Sequence, residues 1–137
     1  MLRKLHSTVG WFSLVFFLAQ GQYFLIVLGG LAELEDTQRL LYRTTHVYLL
    51  FAALLNIQAG LTFEPDAGLP RWSQFNQLLL LAAPPLLIYS FFFETLGSTG
   101  IDRPLGGFAV QLCFVWLVGQ VLIRKLSARK RQDARSS

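Results

Sequence analysis

Residues 9–32 read VGWFSLVFFLAQGQYFLIVLGGLA and contain no charged side chain. A helix crosses the hydrocarbon core of a bilayer with about 20 consecutive, mostly apolar residues. This stretch is long enough for that crossing, and it exceeds the roughly 7–15-residue apolar core of a cleaved signal peptide. We therefore predict a retained membrane-spanning helix over about 9–32.

Three further apolar stretches of similar length follow, over about 41–63, 75–96 and 105–126. The segments between the stretches contain Gly and Asp, joined by Pro in the last two, which is typical of turns and loops. Short connections place consecutive helices side by side in opposite directions. The sequence therefore predicts an all-α membrane protein: a single four-helix transmembrane bundle over 1–126, up-down-up-down, followed by a basic cytoplasmic tail over 127–137.

The composition agrees with a membrane protein. The 137 residues are 53% hydrophobic and only 15% charged, a lower charged fraction than soluble domains carry. The 12 Phe residues suit contact with lipid and with the interfacial belts. The single cysteine excludes an internal disulfide, and we expect Cys113 to be a small packing residue.

Half of the twelve Lys and Arg residues lie at or after the end of the last apolar stretch. Basic residues directly after a span mark its cytoplasmic side, so we expect this cluster to face anionic lipid and not nucleic acid. The N-terminal segment and the second connection add three more, whereas the first and third connections hold Arg39, Arg43 and Arg103. This asymmetry predicts that both termini are cytoplasmic, in a bacterial inner membrane.

Small and hydrogen-bonding residues recur on one face of each of the first two spans. At about 100° per residue, Ser13 and Gln20 share a face of the first span, and Asn56 and Gly60 share a face of the second with His46. Membrane helices use such residues where they pack closely. We predict that the two faces pack together, while a ligand-binding face remains an alternative for the same residues.

Three ionisable side chains occupy similar depths near the predicted outer ends of the spans: Arg43, His46 and Glu94. A charge that is isolated in lipid is costly, so intramembrane ionisable residues usually pair. We therefore predict a polar cluster of these three residues. His46 also has functional alternatives, since a histidine can titrate, bind a quinone or ligate a haem.

The third span contains the consecutive prolines Pro84 and Pro85. Each proline lacks a backbone N–H, so the carbonyls of Leu80 and Leu81 lose their helical donors. We predict a kink here, which either adjusts the shape of the bundle or forms a hinge beside a cavity.

The positions of the two histidines limit haem binding. His6 lies on the inner side of the first span and His46 on the outer side of the second, which at 1.5 Å per residue separates them by roughly 30 Å. One chain therefore cannot hold a bis-histidine haem, although a haem on His46 alone, or on two copies of His46 across a dimer axis, stays possible. Phosphate-loop, nucleophile-elbow, HExxH and CxxC motifs are absent, and we predict no metal site.

These observations favour a non-enzymatic accessory or interaction subunit of a larger membrane complex, whose partners are membrane lipids and other integral membrane subunits or a second copy. We expect Trp116 to face lipid or a partner, and we expect no cofactor. Two alternatives stay open. One is a small oligomeric transporter or channel, and the other is an electron-transfer subunit that binds haem b or a quinone through His46.

Overall fold

The computed structural model describes residues 1–32, 34–62, 70–95 and 104–136, and this part of the chain is helical without strands. Four long helices account for most of it: α1 (Leu2–Ile26), α2 (Asp36–Thr62), α3 (Pro70–Ser90) and α4 (Pro104–Ser136). Each of the four is long and apolar enough to cross a membrane. The chain therefore has the helical architecture expected of a membrane protein.

The helices begin earlier than the apolar stretches. α1 starts at Leu2, where the Arg3 guanidinium donates to the carbonyl oxygens of Gly60 (3.3 Å) and Leu61 (3.0 Å) at the end of α2. α3 and α4 both start at a proline, Pro70 and Pro104, and the fixed φ of proline favours the first position of a helix. Hydropathy identifies the part of a helix that lies in lipid, whereas the helix itself extends into the polar flanks.

The first helix ends before the C-terminal end of the predicted span. The prediction extends to Ala32, whereas α1 ends at Ile26 and Gly29–Leu31 forms a short 3-10 turn. Gly29 and Gly30 adopt φ values of 55° and 71°, in the left-handed region where glycine has no Cβ penalty. Leu31 follows with φ 68°, and its side chain is buried.

The most extensive contacts join α1 to α2 and α3 to α4, so the fold consists of two helical hairpins. Leu49, Leu80, Leu87 and Cys113 meet between the hairpins in the main apolar core. A second cluster, built from Phe24, Leu31, Tyr42 and Phe91, closes one end.

The α3 helix continues through both prolines and then widens into a π-helical turn at Phe91–Thr95. This π-helical turn begins about two turns beyond Pro84, and the kink at Pro84 and Pro85 stays a prediction. Wide turns of this kind redirect side chains, and here the turn carries Glu94.

Helix α4 has 33 residues, which corresponds to a length of about 50 Å. This exceeds the roughly 30 Å of a bilayer core. The basic segment predicted as a separate tail from residue 127 therefore continues the helix through Ser136.

Candidate functional site

Asn56 is the centre of a buried hydrogen-bond network that joins three helices. Its Oδ1 lies 2.8 Å from Nδ1 of His6, and both side chains are fully buried. Its Nδ2 donates to the carbonyl oxygens of Ala52 (2.9 Å) and Leu80 (3.2 Å). Because the amide NH₂ is used on two carbonyls, Oδ1 must accept, and His6 therefore carries its proton on Nδ1.

The bond from Asn56 to Leu80 replaces a backbone hydrogen bond that α3 lacks. Pro84 has no N–H, so it leaves the carbonyl of Leu80 without its helical donor. Asn56 supplies that donor from α2, which explains how α3 stays helical through the prolines.

The network reaches α4 through a second pair of bonds. Trp116 Nε1 donates to Oε1 of Gln77 at 3.2 Å, and Asn76 Nδ2 donates to the backbone oxygen of Trp116 at 3.0 Å. The expectation that Trp116 faces lipid or a partner is wrong, since only 7% of the residue is exposed. Its indole N–H requires a buried acceptor, which Gln77 provides.

Close backbone approach holds α1 against α2. A Cβ atom on Gly10 would lie 2.7 Å from the backbone nitrogen of Ile57, and one on Gly60 would lie 2.7 Å from that of Ser7. Ser13 is buried, and its hydroxyl donates to the carbonyl oxygen of Val9 at 2.7 Å. The structure thus places Asn56 and Gly60 at the contact between the two helices, whereas Ser13 lines a groove together with Pro85 and Ile88 of α3.

His46 lies further along the same contact, in an aromatic pocket. Its ring stacks on Phe17 with centroids 3.9 Å apart and is tilted against Phe24 at 5.4 Å. Nδ1 lies 3.1 Å from Oε1 of Gln20, and the Nε2 edge faces α1, 3.5 Å from where a Cβ on Gly21 would stand. The ring therefore pairs with Gln20 and packs on the first helix.

This environment does not fit a haem on His46. A haem ligand needs an open ring nitrogen in front of the macrocycle, whereas Nε2 faces the backbone of α1 at Gly21 and Phe17 covers one face of the ring. His46 packs beside residues 17–21 of α1, about 20 Å along that helix from His6. The predicted separation of roughly 30 Å was too large, because it assumed a first span over 9–32, whereas α1 covers Leu2–Ile26.

Arg43, His46 and Glu94 have different surroundings. Arg43 is exposed on α2. The Glu94 carboxylate accepts from the backbone N–H groups of Leu105 (2.8 Å) and Gly106 (3.0 Å) and from the Ser90 hydroxyl. The Glu94 carboxylate thus caps the N-terminus of α4, where a negative charge interacts favourably with the helix dipole. Within the described ranges no ion pair joins Arg43 to Glu94.

A polar cavity of about 210 Å³ lies between α2, α3 and α4, beside the Gln77–Trp116 pair. Its wall includes Gln120, whose Nε2 is buried without a hydrogen-bond partner in the described part of the chain. Arg124, which is exposed, also lines it.

Sequence reasoning missed Gln77, Asn76 and Trp116 as members of the polar network. Pro84 predicts the freed carbonyl of Leu80, but the rule that a buried carbonyl requires a donor does not by itself select Asn56. Among the described residues, no group of three or more His, Cys, Asp or Glu side chains is arranged to bind a metal.

Fold and site together define a helical, membrane-type protein whose interior is held by polar pairs. Comparisons of the chain with protein-family models, curated proteins and solved structures find no match.

Proposed function

We propose that the protein is a non-enzymatic accessory subunit of a larger complex in a bacterial inner membrane. In this proposal the four helices form an up-down-up-down transmembrane bundle with both termini in the cytoplasm. Its partners are lipids and other integral membrane subunits or a second copy of the chain.

The contacts between helices favour the alternating topology. His6 near the start of α1 pairs with Asn56 near the end of α2, whereas Gln20 pairs with His46, which precedes Asn56. Glu94 after the end of α3 caps the start of α4. The distribution of Lys and Arg favours cytoplasmic termini.

The observation that carries the proposal is that three pairs of polar side chains join neighbouring helices. His6 pairs with Asn56, His46 with Gln20, and Trp116 with Gln77. Interhelical bonds of this kind fix helix packing. An interior arranged in this way favours a structural subunit over a catalyst.

An apolar groove of about 640 Å³ on the outer side of α3 and α4 offers a seat for a partner helix. Trp72 and Phe114 belong to its walls, together with Val118 and Gly119. Gly119 faces Asn76 of α3, so the surface offered to a partner helix is formed by the apolar side chains around it. The proposed occupant is a transmembrane helix of another subunit.

Gentle purification in mild detergent, with size separation and identification of co-eluting proteins, tests the proposal. We expect integral membrane proteins to co-elute with the wild type, and we expect Val118→Trp, which fills the groove, to lose them. Leu18→Trp places the same bulk on an exposed position of α1 and should retain the partners.

The same preparation distinguishes the alternatives. A stable monomer with its own activity, or solute flux through protein reconstituted in liposomes, contradicts the accessory role. An absorption band of haem that disappears in His46→Ala contradicts it as well. Equal loss of partners in Val118→Trp and Leu18→Trp contradicts the assignment of the groove.

A further inference from the structure

The polar cavity between α2, α3 and α4 lies at the end of the bundle where α2 ends and α3 begins, and its wall combines hydrogen-bonding and apolar side chains in similar proportion. Its volume of about 210 Å³ equals that of roughly seven waters at about 30 Å³ each. The polar lining residues are Gln58, Thr62, Ser73, Gln77, Gln120 and Arg124.

The lining contains one cationic group and one buried amide donor without an acceptor. Arg124 supplies a guanidinium group, and the described lining residues include no carboxylate. Gln120 stands one turn earlier on the same face of α4, and its buried Nε2 has no hydrogen-bond partner in the described part of the chain. A buried amide N–H group without an acceptor costs free energy unless a ligand or water provides one. The cavity is therefore built to receive an acceptor-rich group.

The ligand chemistry follows from this lining. A phosphate group carries negative charge and several acceptor oxygens, and arginine pairs with it through two parallel hydrogen bonds. The amide group of Gln120 is available to donate to another of its oxygens. We propose that this cavity binds a phosphate group, held by Arg124 and Gln120.

The phosphate has two possible sources, an anionic phospholipid headgroup or a soluble phosphate. The site does not depend on the accessory role proposed above, because its ligand is a small group and not a protein partner. The two sources are distinguished by how the phosphate is presented to the protein.

The test uses the full chain in nanodiscs of zwitterionic phosphatidylcholine. One arm titrates phosphatidylglycerol into the nanodisc and follows thermal unfolding and bound lipid by native mass spectrometry. The other arm titrates inorganic phosphate into the buffer at constant ionic strength. The variants are Arg124→Gln and Gln120→Leu, and Arg129→Gln is the matched control, because Arg129 is exposed further along the same helix.

We expect saturable binding in one arm and about tenfold weaker binding in Arg124→Gln, the loss typical of a removed charge-assisted hydrogen bond. Gln120→Leu should weaken binding in the same arm, and Arg129→Gln should leave it unchanged. Thermal unfolding in phosphatidylcholine alone shows whether each variant is folded. If Gln120→Leu does not fold, the result for Arg124→Gln decides the test. Binding in neither arm, or equal weakening by Arg129→Gln, overturns the proposal.

Discussion

At the scale of single residues, Asn56 does more than any other side chain to connect the helices. It binds His6 on α1 and the carbonyl of Leu80 on α3, while it is itself part of α2. Both partners are buried groups, and an unpaired buried polar group costs about 1–3 kcal/mol. Asn56 therefore compensates for a defect that Pro84 introduces elsewhere in the sequence.

This compensation predicts an energetic coupling between Asn56 and Pro84. We expect Asn56→Ala to lower the free energy of unfolding by about 1–3 kcal/mol. In a Pro84→Ala background the cost should be smaller by about 0.5–1.5 kcal/mol, because residue 84 then donates its own N–H to Leu80. Unfolding in mixed detergent micelles measures all four members of the cycle.

Pro85→Ala is the matched control for this cycle. It restores a donor to the carbonyl of Leu81, which Asn56 does not bind, so the cost of Asn56→Ala should be unchanged in that background. An equal reduction in both proline variants would show that the coupling comes from general relaxation of α3 and not from the carbonyl of Leu80.

At the scale of helices, the contact between α1 and α2 depends on small residues at the crossing points. The backbones approach so closely at Gly10 and Gly60 that a methyl group would overlap the opposite helix. Van der Waals packing between close helices is a main source of stability in membranes. Glycine lowers the stability of a single helix, but at these two positions it allows the close packing that stabilises the α1–α2 pair.

Substitution of glycine by alanine should therefore have opposite effects on stability at packed and at open helix positions. Gly10→Ala must move α1 away from Ile57, and we expect a loss of about 1–3 kcal/mol in the free energy of unfolding. Gly107→Ala on α4 meets no atom within 4 Å and should gain up to about 1 kcal/mol from helix propensity. Destabilisation of similar size in both variants would contradict this account of the packing.

The sequence predicted four long helices because lipid imposes a minimum apolar length, and this part of the fold agrees with the structure. Helix ends were less predictable, since hydropathy reports the boundary with lipid while Gly29, Pro70 and Pro104 determine where helices stop and start. The surroundings of Glu94 were not predictable from depth alone. Its carboxylate binds backbone N–H groups of α4, and sequence patterns do not reveal how a π-helical turn aims a side chain.

At the scale of the whole molecule, positive charge is concentrated in the C-terminal part of α4. That helix is longer than a bilayer is thick, so its basic end extends past the hydrocarbon core. Lys and Arg near the ends of spans are held on the cytoplasmic side during insertion. The orientation of the protein should therefore depend on this segment.

Reporter fusions at the C-terminus test the orientation. We expect a fused green fluorescent protein to fluoresce and a fused alkaline phosphatase to be inactive, because the first folds in the cytoplasm and the second requires the periplasm. Replacing the basic residues after Leu126 by Gln should raise the phosphatase signal, whereas replacing Arg39 and Arg43 should not. An active phosphatase on the wild type would reverse the assigned orientation.

The bond between Asn56 and Leu80 also has a consequence for the order of assembly. Synthesis proceeds from the N-terminus, so the α1–α2 hairpin enters the membrane first and is able to form its own His6–Asn56 bond at once. When α3 arrives, its Leu80 carbonyl has no partner in lipid until it reaches Asn56. The proline that weakens α3 as an isolated helix thus becomes a driving force for its docking on the earlier hairpin.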